Sequence, residues 1–367
     1  MTTTVMRSEK SFDSINTRRQ AVQLYKVGKA LADLGDDDER IVAASADLKF
    51  STLVSEFEER HPDRFFQFGI SERNMHGAAA GMASCGLRPY VGTFAAFSGL
   101  LAYENIRTDL AYTRMPVRIL ATHAGISMGY FATSHHATED ISALRSVADL
   151  MILSPADGTS AAVLLRQTVD HPGPIYFRLS RGRDESLYEA APAGYRVGTP
   201  HAVRSGTELL MVATGLVVRN CVLAADELAK RGVSCTVLDV HTLKPLASDT
   251  IADIASRHSA VLVAEEHNVE GGLGTMVQES LGARGLRVPT YKHGLYDEFS
   301  IIGPPNHLYK YYGLDAIGIA SVASRLMDAL PAEKFFEKAS SLRLWSDDDR
   351  QTVLVGIQQR SPSATRA

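Results

Sequence analysis

Two series of short apolar runs, each run followed by a helix-patterned segment, fill most of this chain, and a stretch with no period separates them. In the first series the runs at 41–44, 65–68, 88–93, 117–122, 150–153 and 175–179 read as strands, and 74–85, 97–112, 142–147 and 158–170 as helices. A helix over 17–34 precedes them, with Ala21, Leu24, Tyr25, Val27 and Leu31 at helical spacing. Gly35 and the acidic run Asp36-Asp37-Asp38-Glu39 are its expected end. The second series places strands at 209–213, 234–240, 260–265 and 287–291, and helices at 217–231, 248–258 and 275–282. Apolar strands that alternate with helices belong to a parallel sheet buried on both faces. The expected fold class is therefore α/β, with two doubly wound, mostly parallel-sheet domains. Residues 187–206 carry Pro192, Pro200, Gly194, Gly198 and Gly206 and read as the linker. The expected bounds are 13–186 for the first domain and 207–330 for the second, with 331–367 a helical tail holding the only tryptophan, Trp345.

Composition narrows the class. A chain of 367 residues is too long for one ordinary domain and suits two. A net charge of −4 gives no reason to expect nucleic acid or an anionic membrane as partner. No apolar run reaches the roughly 18 residues of a spanning helix, and Met1 to Lys10 hold no apolar signal core. Cys85, Cys221 and Cys235 follow no metal-ligand spacing and read as thiols of a reducing compartment, so a cytoplasmic location is expected.

The chemistry is concentrated in two segments. Phe68-Gly69-Ile70-Ser71-Glu72-Arg73-Asn74-Met75 sets one carboxylate at the end of an apolar strand, just before a helix of small residues. Gly92-Thr93-Phe94-Ala95-Ala96-Phe97 delivers two rings directly after another strand. A carboxyl group in apolar surroundings, which favour its protonated form, beside an aromatic platform suits an aminopyrimidine ring. Read singly, Glu72 is also what a helix dipole favours in a first turn, and Phe94 and Phe97 are also ordinary core aromatics. The turn Gly271-Gly272-Leu273-Gly274 opens a helix as a nucleotide site would, but the fingerprint is incomplete and it reads as a tight helix entrance.

The order and spacing of these segments resemble the pyrimidine-binding domain of transketolases. Val263-Ala264-Glu265-Glu266-His267, ahead of the glycine turn, is similar to the C-terminal domain of that family. The resemblance implies thiamine diphosphate as cofactor. Glu72 would promote the imino form of its aminopyrimidine from ring nitrogen N1′, Phe97 would stack on that ring with Phe94 flanking, and Asp47 would lie close by in a structural role. Leu100 stands where the family often has a third aromatic. Further positions match the phosphosugar contacts: Arg18 in Asn16-Thr17-Arg18-Arg19, Ser51 at the end of Ser45-Ala46-Asp47-Leu48-Lys49-Phe50-Ser51, His123 in Ala121-Thr122-His123, and Arg181 in Arg178-Leu179-Ser180-Arg181. Arginine offers phosphate a planar fork of donors. His135, closing Ala132-Thr133-Ser134-His135, matches the histidine that reaches the donor sugar near its reacting carbon. Glu72, His123 and His135 are thus the catalytic set that the resemblance implies. His136 replaces a family glutamine, and with no Cys or acidic ligand at metal spacing no metal site is expected.

Two departures carry as much meaning. Phe131 stands where the family places an aspartate that hydrogen-bonds a donor hydroxyl, so an unusual donor or acceptor is expected while phosphate recognition through Arg18, Ser51, His123 and Arg181 is kept. The chain also has no Gly-Asp-Gly followed by the Asn that holds diphosphate and Mg2+ in this family. It therefore resembles the C-terminal subunit of a split, two-component transketolase. Such a subunit would be active only with a separate N-terminal subunit carrying that motif and the Mg2+, in an α2β2 assembly. At longer range it is similar to deoxyxylulose-phosphate synthases and to beta subunits of 2-oxo-acid dehydrogenases. Ser51, His123 and Arg181 favour transketolase over the dehydrogenases. A non-catalytic scaffold has no need of Glu72 or Phe97.

Overall fold

The computed structural model describes residues 23–181, 185–331, 335–336 and 342–360. Arg18 of the expected phosphate set lies outside the described residues. The first six strands are β1 (Ile41–Ser45), β2 (Phe65–Gln67), β3 (Arg88–Phe94), β4 (Arg118–Thr122), β5 (Met151–Leu153) and β6 (Ile175–Arg178). The next six are β7 (His201–Arg204), β8 (Leu209–Ala213), β9 (Cys235–Asp239), β10 (Thr242–Lys244), β11 (Ala260–Asn268) and β12 (Thr290–Leu295). They form two sheets, in the orders β10-β5-β6-β4-β3-β1-β2 and β12-β11-β8-β9-β7. All pairs among β1 to β6 are parallel. So are β8-β9, β8-β11 and β11-β12. β1, β4, β6, β8 and β9 are buried along their whole length, which is why their sequences run apolar without alternation.

Helices α1 (Gln23–Asp37), α2 (Glu72–Ser84) and α3 (Gly158–Gln167) flank the first sheet, and α4 (Val217–Ala229), α5 (Ser248–Ala255), α6 (Leu273–Ala283) and α7 (Ala316–Asp328) the second. No helix among the described residues is long and apolar enough to cross a membrane.

Four local expectations need correction. α1 does not stop at Gly35 but runs to Asp37. A Cβ at Gly35 would lie 2.5 Å from the Phe57 ring and 2.7 Å from the His61 ring, so this glycine admits close packing rather than ending the helix. Within the expected linker, His201–Arg204 form β7, an antiparallel edge strand on β9. The single strand expected at 234–240 ends at Asp239, and the chain then crosses to the first sheet, where β10 pairs antiparallel with β5. The helix expected over 97–112 is broken: π-helical turns at Phe97–Leu101 and Ile106–Ala111 flank the short turn Tyr103–Asn105. In the tail, Asp347–Arg360 is helical, and Trp345 is buried, its Nε1–H donating to the Tyr311 carbonyl at 2.8 Å.

A buried ion pair lies where the two units meet. Arg178, at the end of β6, donates from Nε to both Asp140 oxygens at 3.0–3.1 Å, and its Nη2 donates to the carbonyls of Ala137 and Glu266. Tyr176 also donates to Asp140, at 3.0 Å.

Candidate active site

Parallel strands all end on one rim of the sheet, and the loops there are where such folds build sites. The rim of the first sheet carries the described residues of the expected cofactor, phosphate and catalytic sets. β1 leads to Asp47 and Ser51, β2 to Glu72, β3 to Phe94 and Phe97, β4 to His123 and the loop carrying His135, and β6 to Arg181.

Glu72 is the first residue of α2. Gly69, at φ +65°, turns the chain out of β2, and the Ser71 N–H closes that turn on the Gly69 carbonyl at 2.8 Å. Glu72 is only 5% exposed, and its carboxylate has no hydrogen-bond partner among the described residues.

The rings meet. Phe94 and Phe97 stack with centroids 5.6 Å apart and planes 30° from parallel. His123 lies 4.3 Å from Phe94, and His135 lies edge-on to Phe97 at 5.1 Å. Phe131 packs on His135 at 5.0 Å. Burial lowers the pKa of His135, so its ring is neutral near pH 7, and its Nδ1 sits 2.9 Å from the Ser134 hydroxyl. His123 and Ala132 hold φ of +60° and +56°, conformations that cost a non-glycine residue on the order of 1–3 kcal/mol and cluster at functional loops.

The remaining expected residues stand further along the rim. Asp47 is exposed, at φ +61°, with its N–H donating to Gln67 Oε1 at 2.7 Å. Ser51 is exposed on the short helix Lys49–Thr52. Arg181 lines a cavity of about 520 Å³ with Tyr130, Arg219 and Lys310. Ser51 follows β1 and Arg181 follows β6, with β3 and β4 between those strands in the sheet. His136 turns away from His135 and bonds the Ser300 hydroxyl through Nδ1. No group of three metal-ligating side chains occurs among the described residues.

The glycine turn before α6 is occupied by the protein itself. Glu265 accepts from the N–H groups of Leu273 and Gly274 at 2.7 and 2.8 Å, where a nucleotide phosphate would bind, so the turn is a tight helix entrance. Two residues near the rim escaped the sequence reading. His76 and Ser98 are buried and bonded to each other at 2.8 Å. Only the spacing of His76, one helical turn after Glu72, hinted at it.

The chain resembles known proteins over both units. Residues 24–184 match the family described as the transketolase pyrimidine binding domain, and residues 198–319 the transketolase C-terminal domain. A putative transketolase C-terminal section from Methanocaldococcus jannaschii is 34% identical over 307 residues, covering 83% of this chain and 95% of that protein. A 6-deoxy-6-sulfo-D-fructose transketolase subunit from Clostridium sp. is 32% identical over 298 residues, covering 81% of this chain and 92% of that one. A solved structure described as a split gene transketolase, inactive beta4 tetramer, is 33% identical with a TM-score of 0.74, covering 84% of this chain and 98% of that one. The chain belongs to the transketolase family, of which it carries the pyrimidine-binding and C-terminal domains.

Proposed function

We propose that this chain is the C-terminal subunit of a split, thiamine diphosphate-dependent transketolase. It would transfer a two-carbon ketol unit between a phosphorylated ketose and an aldehyde once a partner subunit contributes the diphosphate and Mg2+ sites. The observation that carries this reading is Glu72: a nearly buried carboxylate with no hydrogen-bond partner among the described residues, on the same rim as the Phe94–Phe97 stack. The site fits the group, since a lone acid and a half-buried ring are what an aminopyrimidine needs. When bound, thiamine diphosphate supplies the acidic thiazolium carbon and the amino group that deprotonates it.

The chain's own residues have distinct tasks in this reading. Glu72 holds a proton toward ring nitrogen N1′, and Phe97 gives that ring a flat face. His135 is neutral, with Nδ1 engaged by Ser134, which leaves Nε2 for a substrate oxygen near the reacting carbon. Arg18, Ser51, His123 and Arg181 hold the phosphate, and Asp47 supports the cofactor's surroundings. Phe131 lies against His135 and accepts no hydrogen bond, so a donor hydroxyl at that point would go unpaired. The preferred donor or acceptor therefore differs there from that of an ordinary pentose-phosphate transketolase.

The relatives named as subunits and as a C-terminal section support a separate partner, as does the β4 tetramer described as inactive. The active assembly we propose is α2β2, with the Gly-Asp-Gly…Asn motif on the partner. The test is reconstitution. The chain alone should show neither ketol transfer nor tight thiamine diphosphate binding by calorimetry, and adding the partner with Mg2+ should produce both. Tight binding by the chain alone would overturn the split reading. A complex that binds the cofactor but transfers no ketol unit from any phosphoketose would overturn the activity.

A further inference from the structure

His76 sits one turn along α2 from Glu72 and is completely buried, as is Ser98. Its Nδ1 is 2.7 Å from the Glu72 backbone carbonyl and its Nε2 is 2.8 Å from the Ser98 hydroxyl. The roles in this relay follow from the atoms. A carbonyl oxygen only accepts, so Nδ1 carries the hydrogen. Burial lowers the pKa of the ring to about 4, so it is neutral near pH 7 and Nε2 accepts from the Ser98 hydroxyl. One tautomer is therefore fixed, and the hydrogen bonds run in one direction, from Ser98 through His76 to Glu72.

Its two ends are what make this relay informative. Ser98 directly follows Phe97 and lies in the π-helical turn Phe97–Leu101, a geometry that recurs at functional sites. Glu72 opens α2, which reaches the rim from a different strand. A buried imidazole is costly at a position that an apolar side chain could fill, unless its two bonds are needed.

We infer that His76 is a positioning residue that, with Ser98, fixes the Glu72 turn against the Phe97 turn, so that acid and stacking face keep a set spacing. This rests on the reading of Glu72 as the catalytic acid. His76 itself touches neither cofactor nor substrate.

The test uses the full chain reconstituted with its partner, Mg2+ and thiamine diphosphate, and compares Ser98→Ala, His76→Leu, His76→Gln and Glu72→Gln. Two readouts stand apart from turnover: the rate of C2-proton exchange in bound thiamine diphosphate, and the calorimetric Kd for that cofactor. Ser98→Ala and His76→Leu should slow the exchange about tenfold, the size expected when one buried hydrogen bond goes unmade, and lower kcat with it. The KM for the phosphosugar should stay within about twofold, because no substrate contact is removed. His76→Gln, whose amide can donate to the Glu72 carbonyl and accept from Ser98, should recover most of the exchange rate. Ser98→Ala removes a single hydroxyl, so the relay stays testable even if His76→Leu does not fold. Wild-type exchange and Kd in Ser98→Ala and His76→Leu, alongside an exchange-dead Glu72→Gln, would overturn the positioning role and leave the catalytic reading standing. Undiminished exchange in Glu72→Gln would overturn the catalytic reading, and the positioning role with it.

Discussion

The two sheets end in rims of similar build, yet Glu72 on the first and Glu265 on the second have opposite surroundings. On the second rim, Glu265 accepts two backbone N–H groups, Glu266 accepts the Tyr309 hydroxyl at 2.6 Å, and Asp239 accepts the hydroxyls of Tyr188 and Tyr195 at 2.8 and 3.0 Å. On the first rim Glu72 is almost as buried and accepts nothing among the described residues. The stacked rings and the π-helical turns belong to the first rim as well. An α/β sheet supplies the rim, and the different surroundings of Glu72 and Glu265 show that a rim alone does not make a site. At Glu265 the second rim puts a carboxylate to structural use.

Breaking the contact between the rims should have the largest effect. Arg178→Ala leaves Asp140 buried without its cation and removes two carbonyl contacts, one of them to Glu266. A loss of about 3–5 kcal/mol in urea unfolding is expected, the usual cost of breaking a buried pair from one side. A loss under about 1 kcal/mol would mean that this pair does not tie the units together.

Glu265→Ala tests the second rim. It removes two charge-assisted bonds at the entrance of α6 and should cost about 2–3 kcal/mol. Ketol transfer per folded complex should be unchanged. Lost activity at unchanged stability would contradict the division between a chemical rim and a structural one.

The smallest effect concerns pH. His76, His136, His241 and His293 are held neutral by burial, with pKa values lowered from 6.5 to about 4. Between those values the unfolded chain binds more protons, so these histidines make stability fall as pH drops from 6.5 to 4. Asp239 acts in the opposite sense. Burial raises it from 3.8 to about 7, so its contribution is full below 3.8 and is lost as pH rises through 7. Four groups outweigh one, and denaturation midpoints should fall with acid. They should fall more steeply in Asp239→Asn, where the opposing group is gone. A flat profile would contradict the buried neutral histidines.

The parallel strands were legible because burial on both faces forces uninterrupted apolar runs, and β8 lies over 209–213, where it was expected. Glu72, Phe94, Phe97, His123 and His135, the residues proposed for the site, stand at or just beyond strand ends, where an odd residue is conspicuous against a small-residue background. What escaped was short or long-range. β7 and β10 have four and three residues, too few to show a period, and each is antiparallel on a sheet edge. Gly35 reads as a stop until Phe57 and His61 are seen packed over it. The Arg178–Asp140 pair spans 38 positions, and the His76–Ser98 bond 22. Nothing local in a sequence announces either partner.

If the Glu72 carboxyl does the chemistry, Glu72→Gln in the reconstituted complex must remove it. Glutamine keeps the size and the helix start but carries no acid proton. Ketol transfer should fall by about 10²–10⁴, the range of a lost general acid, with the melting temperature unchanged. Transfer at the wild-type rate would contradict it.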